Sequence, residues 1–452
     1  MLEVFRSPRR ATVWFVEATL LAILVTLAVG LPRSEDHAPG FALFAQALGV
    51  SVVAQGSLYY HGLYNLEPLG TGRLFLTTLR ALAIAAVLLL GICWFLPDAA
   101  IGGLALLAPL GAAALILPAW RAAFERVSRS ESFCRRAVVL GSGELALACA
   151  ALLREGGDAR LRLTGRLVRD DGPMEGPEVI GRYRDLARVV EQHGVCRVIV
   201  ACADRRGAFP VDALLTLKLR GVEIEEGIEF YERATGKILV KDLLPSQIIF
   251  SRGFHVRRRT LVAKRVFDVV SAGLGLLFAM PLMLLTAAAI KLDSPGPALY
   301  SQVRLGEFGR RFHIHKFRSM RTDAEKNGAV WAAEADPRVT RVGNVIRKLR
   351  IDELPQLWNV LVGEMSLVGP RPERPEFTSM LEREIPYFRQ RLCVKPGVTG
   401  HAQVRCRYGA SLEDAVEKLQ HDLYYMKRMS IWFDMSILID TVKVVLLRIG
   451  SR

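Results

Sequence analysis

Four long apolar runs fill most of the first 120 residues: roughly Ala11 to Leu31, Phe41 to Tyr60, Leu74 to Phe95 and Ala99 to Trp120. Each approaches the ~20 residues that a helix needs to cross a hydrocarbon core, so the pattern predicts four transmembrane helices. Gln46, Ser51 and Gln55 interrupt the second run, and Arg80 lies near the start of the third, where its side chain can snorkel. Arg6, Arg9 and Arg10 before the first run would also suit a signal peptide, but three further runs argue against a simple secreted chain. With Arg121, Arg126, Arg129, Arg135 and Arg136 after the fourth run, these arginines put both ends on the cytoplasmic face.

The pattern then changes to short alternating elements. Ala137-Val138-Val139-Leu140 reads as a strand, Gly141-Ser142-Gly143-Glu144 as a tight turn, and Leu145 to Arg154 as a helix. With Ala146 at the third position, this is the G-x-G-x-x-A form of a dinucleotide fingerprint. Further strands are expected at Leu161 to Val168 and Val198 to Ala201, with a helix from Asp185 to His193, giving a small Rossmann-like α/β module. Asp170 and Asp171 could take a ribose hydroxyl or simply form a turn. A regulatory or assembly module that keeps the turn for packing is the preferred reading.

A fifth apolar run, Val266 to Ile290, is broken near its middle by Met280-Pro281. Pro281 removes a backbone donor and favours a kink, so the segment can dip into the bilayer and return to the same face. A full crossing would put the basic remainder of the chain outside, which makes a re-entrant helix the better expectation. Lys264, Arg265 and Asp268 at its start could contact a lipid phosphate or serve as an ordinary helix-end cluster. Near the C-terminus, Ser430 to Ile449 is apolar but divided by Asp434, Asp440, Lys443 and Arg448, as in a surface-lying amphipathic helix.

The formal charge is +15 and the pI about 9.7. Beside so much apolar sequence, this favours anionic lipid over nucleic acid as the partner. Seven cysteines show no CxxC pair or zinc spacing and read as reduced thiols.

Phosphoryl chemistry is suggested by Asp352-Glu353-Leu354-Pro355-Gln356, followed by Gly369-Pro370-Arg371-Pro372. Asp352 could be a helix N-cap, with Pro355 in the first turn. The same geometry would hold a carboxylate where a phosphate or metal-bound nucleotide also fits. A carboxylate nucleophile can split a phosphoryl transfer into two easier steps, and a divalent metal with arginines would keep two adjacent carboxylates ionised. Lys316, Arg318, Arg347, Arg350 and Arg371 are the candidate counter-charges.

From about Lys264 onward the chain resembles the bacterial sugar transferase family, the monotopic polyprenyl-phosphate hexose-1-phosphate transferases. The resemblance rests on Lys264-Arg265-Val266-Phe267-Asp268, Ser294-Pro295-Gly296-Pro297 and Lys316-Phe317-Arg318-Ser319-Met320. It continues through Asp352 to Leu357, Met365 to Pro372, and Lys395-Pro396-Gly397-Val398-Thr399-Gly400. The N-terminal helices and the middle module resemble its large membrane-anchored branch, and the C-terminal motifs its exopolysaccharide-associated members.

The resemblance implies that Asp352 attacks a UDP-sugar, releases UMP and passes the phosphosugar to undecaprenyl phosphate. It further implies that Glu353 supports Mg2+ or positions Asp352, with both carboxylates as metal ligands, and that Arg371 and Arg347 hold phosphate oxygens. Lys264, Arg265, Lys316, Arg318 and Pro370 complete the expected phosphate-binding set, and Asp268 and Pro281 the membrane-associated one. Departures from the family pattern are Met280 where many members have Ser and His401 where many have Trp.

The expected organisation is a transmembrane region (1–120), a basic linker (121–136), a Rossmann-like module (137–250), a linker with the re-entrant helix (251–292) and a mainly helical catalytic domain (293–452). A homodimer in the bacterial inner membrane, with its catalytic domain on the cytoplasmic face, is expected. Two alternatives are a non-catalytic scaffold for polysaccharide assembly and an NAD-dependent nucleotide-sugar enzyme. The second lacks a Y-x-x-x-K pair, since Thr235 stands four residues after Tyr231.

Overall fold

The computed structural model describes residues 8–30, 40–65, 71–95, 103–128, 135–155, 161–174, 176, 178–202, 209–241, 243, 245–251, 253–255, 257–322, 324, 336–406, 409 and 411–446. Arg6, Arg33, Arg129 and Arg252, among the basic residues that flank apolar runs, lie outside them, as do Arg407, Tyr408 and Ala410. The chain divides into two compact units, Met1–Cys134 and Arg135–Arg452, at a boundary inside the expected basic linker.

The first unit contains α1 (Pro8–Gly30), α2 (Gly40–Tyr60), α3 (Thr71–Phe95) and α4 (Gly103–Ser128), one for each apolar run. Among the described residues α1, α3 and α4 are long and apolar enough to cross a membrane, as is the later helix that holds Pro281; α2 is not in that group. Arg121 is not a loop residue. It lies buried within α4, donates to both carboxylate oxygens of Glu17 on α1 at 2.5 and 2.7 Å, and donates to the Leu63 carbonyl. A charge in an apolar bundle is retained when it is paired and hydrogen-bonded in this way.

The second unit opens with a five-stranded parallel sheet. Its strands are β1 (Arg135–Leu140), β2 (Leu161–Val168), β3 (Val179–Arg182), β4 (Val195–Val200) and β5 (Glu223–Glu226), in the order β3-β2-β1-β4-β5. They alternate with α5 (Glu144–Arg154), α6 (Leu186–His193) and α7 (Val211–Leu219), and α8 (Gly227–Thr235) and α9 (Pro245–Phe250) follow. Period-two alternation sends Val138, Leu140, Val198 and Val200 to one core and Ala137, Val139 and Ile199 to the other, as a strand covered on both faces requires. Gly141 has φ +143°, and a Cβ there would stand 2.4 Å from the Ala201 carbonyl oxygen. Strand packing alone therefore requires this glycine.

The chain after α8 runs into the core of the following region, where Ile238, Val240 and Leu243 pack with Leu419, Leu423 and Tyr425. Lys427 donates to both oxygens of Glu232 at 2.8 and 2.9 Å, and both partners are buried.

α10 (Arg258–Asp293) is one continuous helix of 36 residues with Pro281 inside it. Its first half packs against the remaining core through Lys264, Asp268 and Ala272; near its other end Ile290 packs against Phe317 and Ile346. Between them Leu277, Phe278, Leu284 and Leu285 are exposed. A hairpin follows, β6 (Leu299–Leu305) against β7 (Arg311–Phe317), and then α11 (Arg341–Lys348), α12 (Gln356–Val362), β8 (Ser366–Val368) and α13 (Pro375–Glu384). The last elements are β9 (Gly397–Thr399), α14 (His401–Arg405), α15 (Leu412–Arg428) and α16 (Ile431–Leu446). α16 buries Phe433, Asp434 and Ile437 and exposes Trp432, so it both packs on the core and keeps an outer apolar face.

β8 and β9 pair in parallel, and the chain just beyond β8 crosses the start of β9 so closely that a Cβ on Gly369 would lie 2.4 Å from the Lys395 carbonyl oxygen. Gly369→Ala is expected to cost about 1–3 kcal/mol by overpacking and to move Arg371 two residues on. Thermal unfolding should register it; an unchanged midpoint would show that the contact yields easily.

Candidate active site

α11 ends at Lys348 with Leu349 as its C-cap, and Arg350 then turns the chain with a positive φ of 57°. A single 3-10 turn, Ile351–Glu353, carries the two carboxylates, and Pro355 occupies the position before α12. Asp352 is therefore not the N-cap of α12, contrary to the sequence expectation. Rigid supports fix the turn from the other side. Asn359 on α12 donates to the His313 carbonyl at 2.7 Å and accepts from the His315 amide at 3.1 Å, which holds α12 to β7.

This fastening brings Lys316 on β7 to Glu353. Its Nζ lies 3.1 Å from Glu353 Oε1, Arg371 donates to the same oxygen at 3.1 Å, and Arg350 stands 3.6 Å away. Both carboxylates are 9 % exposed. The three cations hold Glu353 well below the ordinary carboxylate range despite its burial. Asp352 responds oppositely: burial and the neighbouring Glu353 charge raise its carboxyl to about 6, and Lys316, Arg350 and Arg371 only partly offset them. Asp352 Oδ1 is buried with no hydrogen-bond partner among the described residues. Three cations beside two carboxylates leave one excess positive charge, which suits a phosphate-bearing ligand.

The other predicted residues have different positions. Lys264 Nζ is 2.6 Å from Asp434 and 3.0 Å from the Val368 carbonyl oxygen. Arg265 donates to the carbonyls of Val360 and Leu361, satisfying the last turn of α12. Asp268 accepts from the Leu367 amide. Arg318 is buried and donates to the carbonyls of Pro295 and Ser294 and to the Ser294 hydroxyl, tying the end of α10 to the chain after β7. Arg347 is half-buried on α11, with Asp336 as a charged neighbour. Pro281 lies inside α10.

Pro370 and Arg371 border a crevice that also takes in Gly306, Thr378 and Arg391. Sequence reasoning missed Arg391, which bonds buried Asp422 at 2.8 Å and donates to the Arg371 carbonyl at 3.2 Å, so it positions Arg371. Nothing in its local sequence, Phe388-Arg389-Gln390-Arg391, separates it from Arg389.

The profile of the bacterial sugar transferase family matches residues 259–448, a stretch containing every element of this site. An N-acetylgalactosamine-undecaprenyl-phosphate phosphotransferase of Aeromonas hydrophila, using UDP-N-acetylgalactosamine by its name, is 49 % identical over 189 residues, 42 % of this chain and 45 % of that protein. The exopolysaccharide production protein PSS of Rhizobium leguminosarum bv. phaseoli is 43 % identical over 188 residues, which are 40 % of this chain and 94 % of that protein. A UDP-glucose:undecaprenyl-phosphate glucose-1-phosphate transferase of Caulobacter vibrioides is 45 % identical over 181 residues, 40 % of this chain and 68 % of that protein. The match thus covers less than half the length of the Aeromonas protein but nearly all of the Rhizobium one. With its carboxylate pair, cation cluster and glycine crossing all inside the matched stretch, the chain belongs to the bacterial sugar transferase family.

Proposed function

We propose that this protein transfers a sugar-1-phosphate from a UDP-sugar to undecaprenyl phosphate through a covalent intermediate on Asp352. The observation that carries the proposal is the partnerless buried oxygen of Asp352 beside a Glu353 already engaged by three cations. One carboxylate is oriented and the other is left free to react. Asp352 forms a bond to the β-phosphorus, the bond from that phosphorus to the UMP oxygen breaks, and UMP leaves with the electron pair. A phosphate oxygen of undecaprenyl phosphate then attacks the acyl phosphate, the bond to Asp352 breaks, and a diphosphate-linked sugar results. Lys316 and Arg371 neutralise charge on the equatorial oxygens.

The Asp352 oxygen is a hard donor that fits Mg2+, with Glu353 as the second ligand; when bound, the ion would supply charge neutralisation at the diphosphate. Lys264, Arg265 and Arg318 donate to carbonyls and carboxylates of the protein itself, so their proposed part is to hold the site's framework, with Arg347 left to reach phosphate from α11.

Both ends of α10 pack on the same domain, which supports a re-entrant course and a catalytic domain on one face, the cytoplasmic one, of the inner membrane. The sheet order β3-β2-β1-β4-β5 supports the Rossmann-like reading of the middle module. A nucleotide-sugar dehydratase is not favoured, because Tyr231 packs in the core of that module.

The test is UMP release from UDP-N-acetylgalactosamine, UDP-glucose and UDP-galactose by the purified protein with Mg2+ and undecaprenyl phosphate. Release from one donor supports transfer and names the sugar; no release with a broad donor panel favours a scaffold. Its pH profile carries a further prediction. Asp352 must be ionised to attack, so the rate should fall about tenfold per pH unit on an acid limb set by the Asp352 carboxyl, which burial and Glu353 raise and a bound cation would lower. Lys316→Met removes a cation that lowers that pKa and should move the acid limb to higher pH. A limb that stays in place would dissociate it from Asp352.

A further inference from the structure

We propose that Cys406, Glu417 and His421 form a binding site for a divalent ion of the Zn2+ class, at the seam between the parallel-sheet module and the catalytic core. One ligand atom from each residue lies within 4.8 Å of the other two. The set combines a thiol, a carboxylate and an imidazole, the donors that zinc takes in tetrahedral sites with an open fourth position. Tetrahedral bonds of about 2.0–2.3 Å put ligand atoms about 3.3–3.8 Å apart, so closure needs side-chain shifts of about 1 Å.

The independent sign is His421. It is 4 % exposed, and its Nδ1 has no hydrogen-bond partner among the described residues. Beside it the Gly236 carbonyl oxygen is 3.0 Å from Nε2 of His401, and His401 packs edge-on against the His421 ring at 5.0 Å. A buried imidazole nitrogen that the surrounding protein leaves without a partner is a donor atom that a bound metal ion would satisfy.

Glu417 and His421 face the same side of α15 four residues apart, and Cys406 follows α14 directly. Lys237, from the chain after α8, now donates to Glu417 at 2.8 Å and is the cation that the metal would displace or share. On the other side Asp422 leads through Arg391 to the Arg371 carbonyl, so the ion would lie between the sheet module and the support of Arg371.

The test is a Co2+ titration of the full-length protein under reducing conditions. We expect a near-ultraviolet thiolate-to-cobalt band that saturates at one ion per chain and is bleached by Zn2+. Cys406→Ser should abolish the band, and His421→Ala should weaken binding by at least about 100-fold. Glu417→Gln, which conserves volume, should weaken it at least about tenfold with an unchanged metal-free unfolding midpoint. Cys393→Ser, at an exposed thiol, should leave it intact. Absence of the band in the wild-type protein, or its survival in Cys406→Ser, would overturn the assignment.

Discussion

Asp352→Asn is expected to reduce UMP release at least about 1000-fold and at the same time to leave the protein as stable as the wild type or more so. The loss follows from removing the proposed nucleophile, because an amide cannot form the acyl phosphate. The stability half follows from linkage. Burial and Glu353 raise the folded-state carboxyl to about 6, against about 3.9 for an unfolded aspartate. A carboxyl raised on folding contributes stability below the unfolded value and loses it as pH rises through the folded one. At pH 7 the ionised Asp352 therefore costs stability. A neutral isostere should recover part of this and raise the thermal midpoint. Activity retained in Asp352→Asn would remove the proposed intermediate, whereas a sharp fall in the midpoint would show that the carboxylate holds the turn together.

The largest stability effect is expected at Lys264, which the sequence reading offered to a lipid phosphate. Its ammonium is buried between Asp434 and the Val368 carbonyl, and Tyr425 donates to Asp434 at 2.8 Å. Lys264→Met leaves a fully buried carboxylate without its cation and should cost about 3–5 kcal/mol. Burial already raises the Asp434 carboxyl, and Lys264 is the main force lowering it. Without that cation the carboxyl rises further, so the variant should be least deficient at acidic pH and lose stability as pH increases. Lys264→Met combined with Asp434→Asn should be less destabilised than the sum of the two single changes. Thermal unfolding of the four proteins across pH tests this. An unchanged midpoint in Lys264→Met together with a raised KM for undecaprenyl phosphate would return Lys264 to the acceptor site.

Much of the architecture was legible because it depends on local periodicity. The four apolar runs became α1 to α4, and Ala137 to Leu140 became a strand with alternating faces. Asp352 and Glu353 were legible as a pair since adjacent carboxylates before a proline are chemically conspicuous. Which cations reach them was not legible, because that is decided by the fastening of α12 to β7 and by the close crossing at Gly369. Lys316 and Arg371 converge on Glu353, but Arg265 and Arg318, equally basic in sequence, donate to backbone carbonyls elsewhere. The helix start was misplaced for a related reason. Arg350 takes a left-handed conformation that no local residue preference announces, and this sets Asp352 in a separate turn ahead of α12. Cys406, Glu417 and His421 escaped notice because their spacing matches no familiar metal motif and only the packing of α14 on α15 unites them.

The central claim is a phosphosugar carried on Asp352, and the most direct measurement is intact-protein and peptide mass spectrometry after incubation with the UDP-sugar and Mg2+ but no lipid acceptor. The account predicts a hexose- or N-acetylhexosamine-phosphate adduct on the peptide containing Asp352, discharged when undecaprenyl phosphate is added and absent from Asp352→Asn. UMP release without any adduct, or an adduct on another residue that survives in Asp352→Asn, would contradict it.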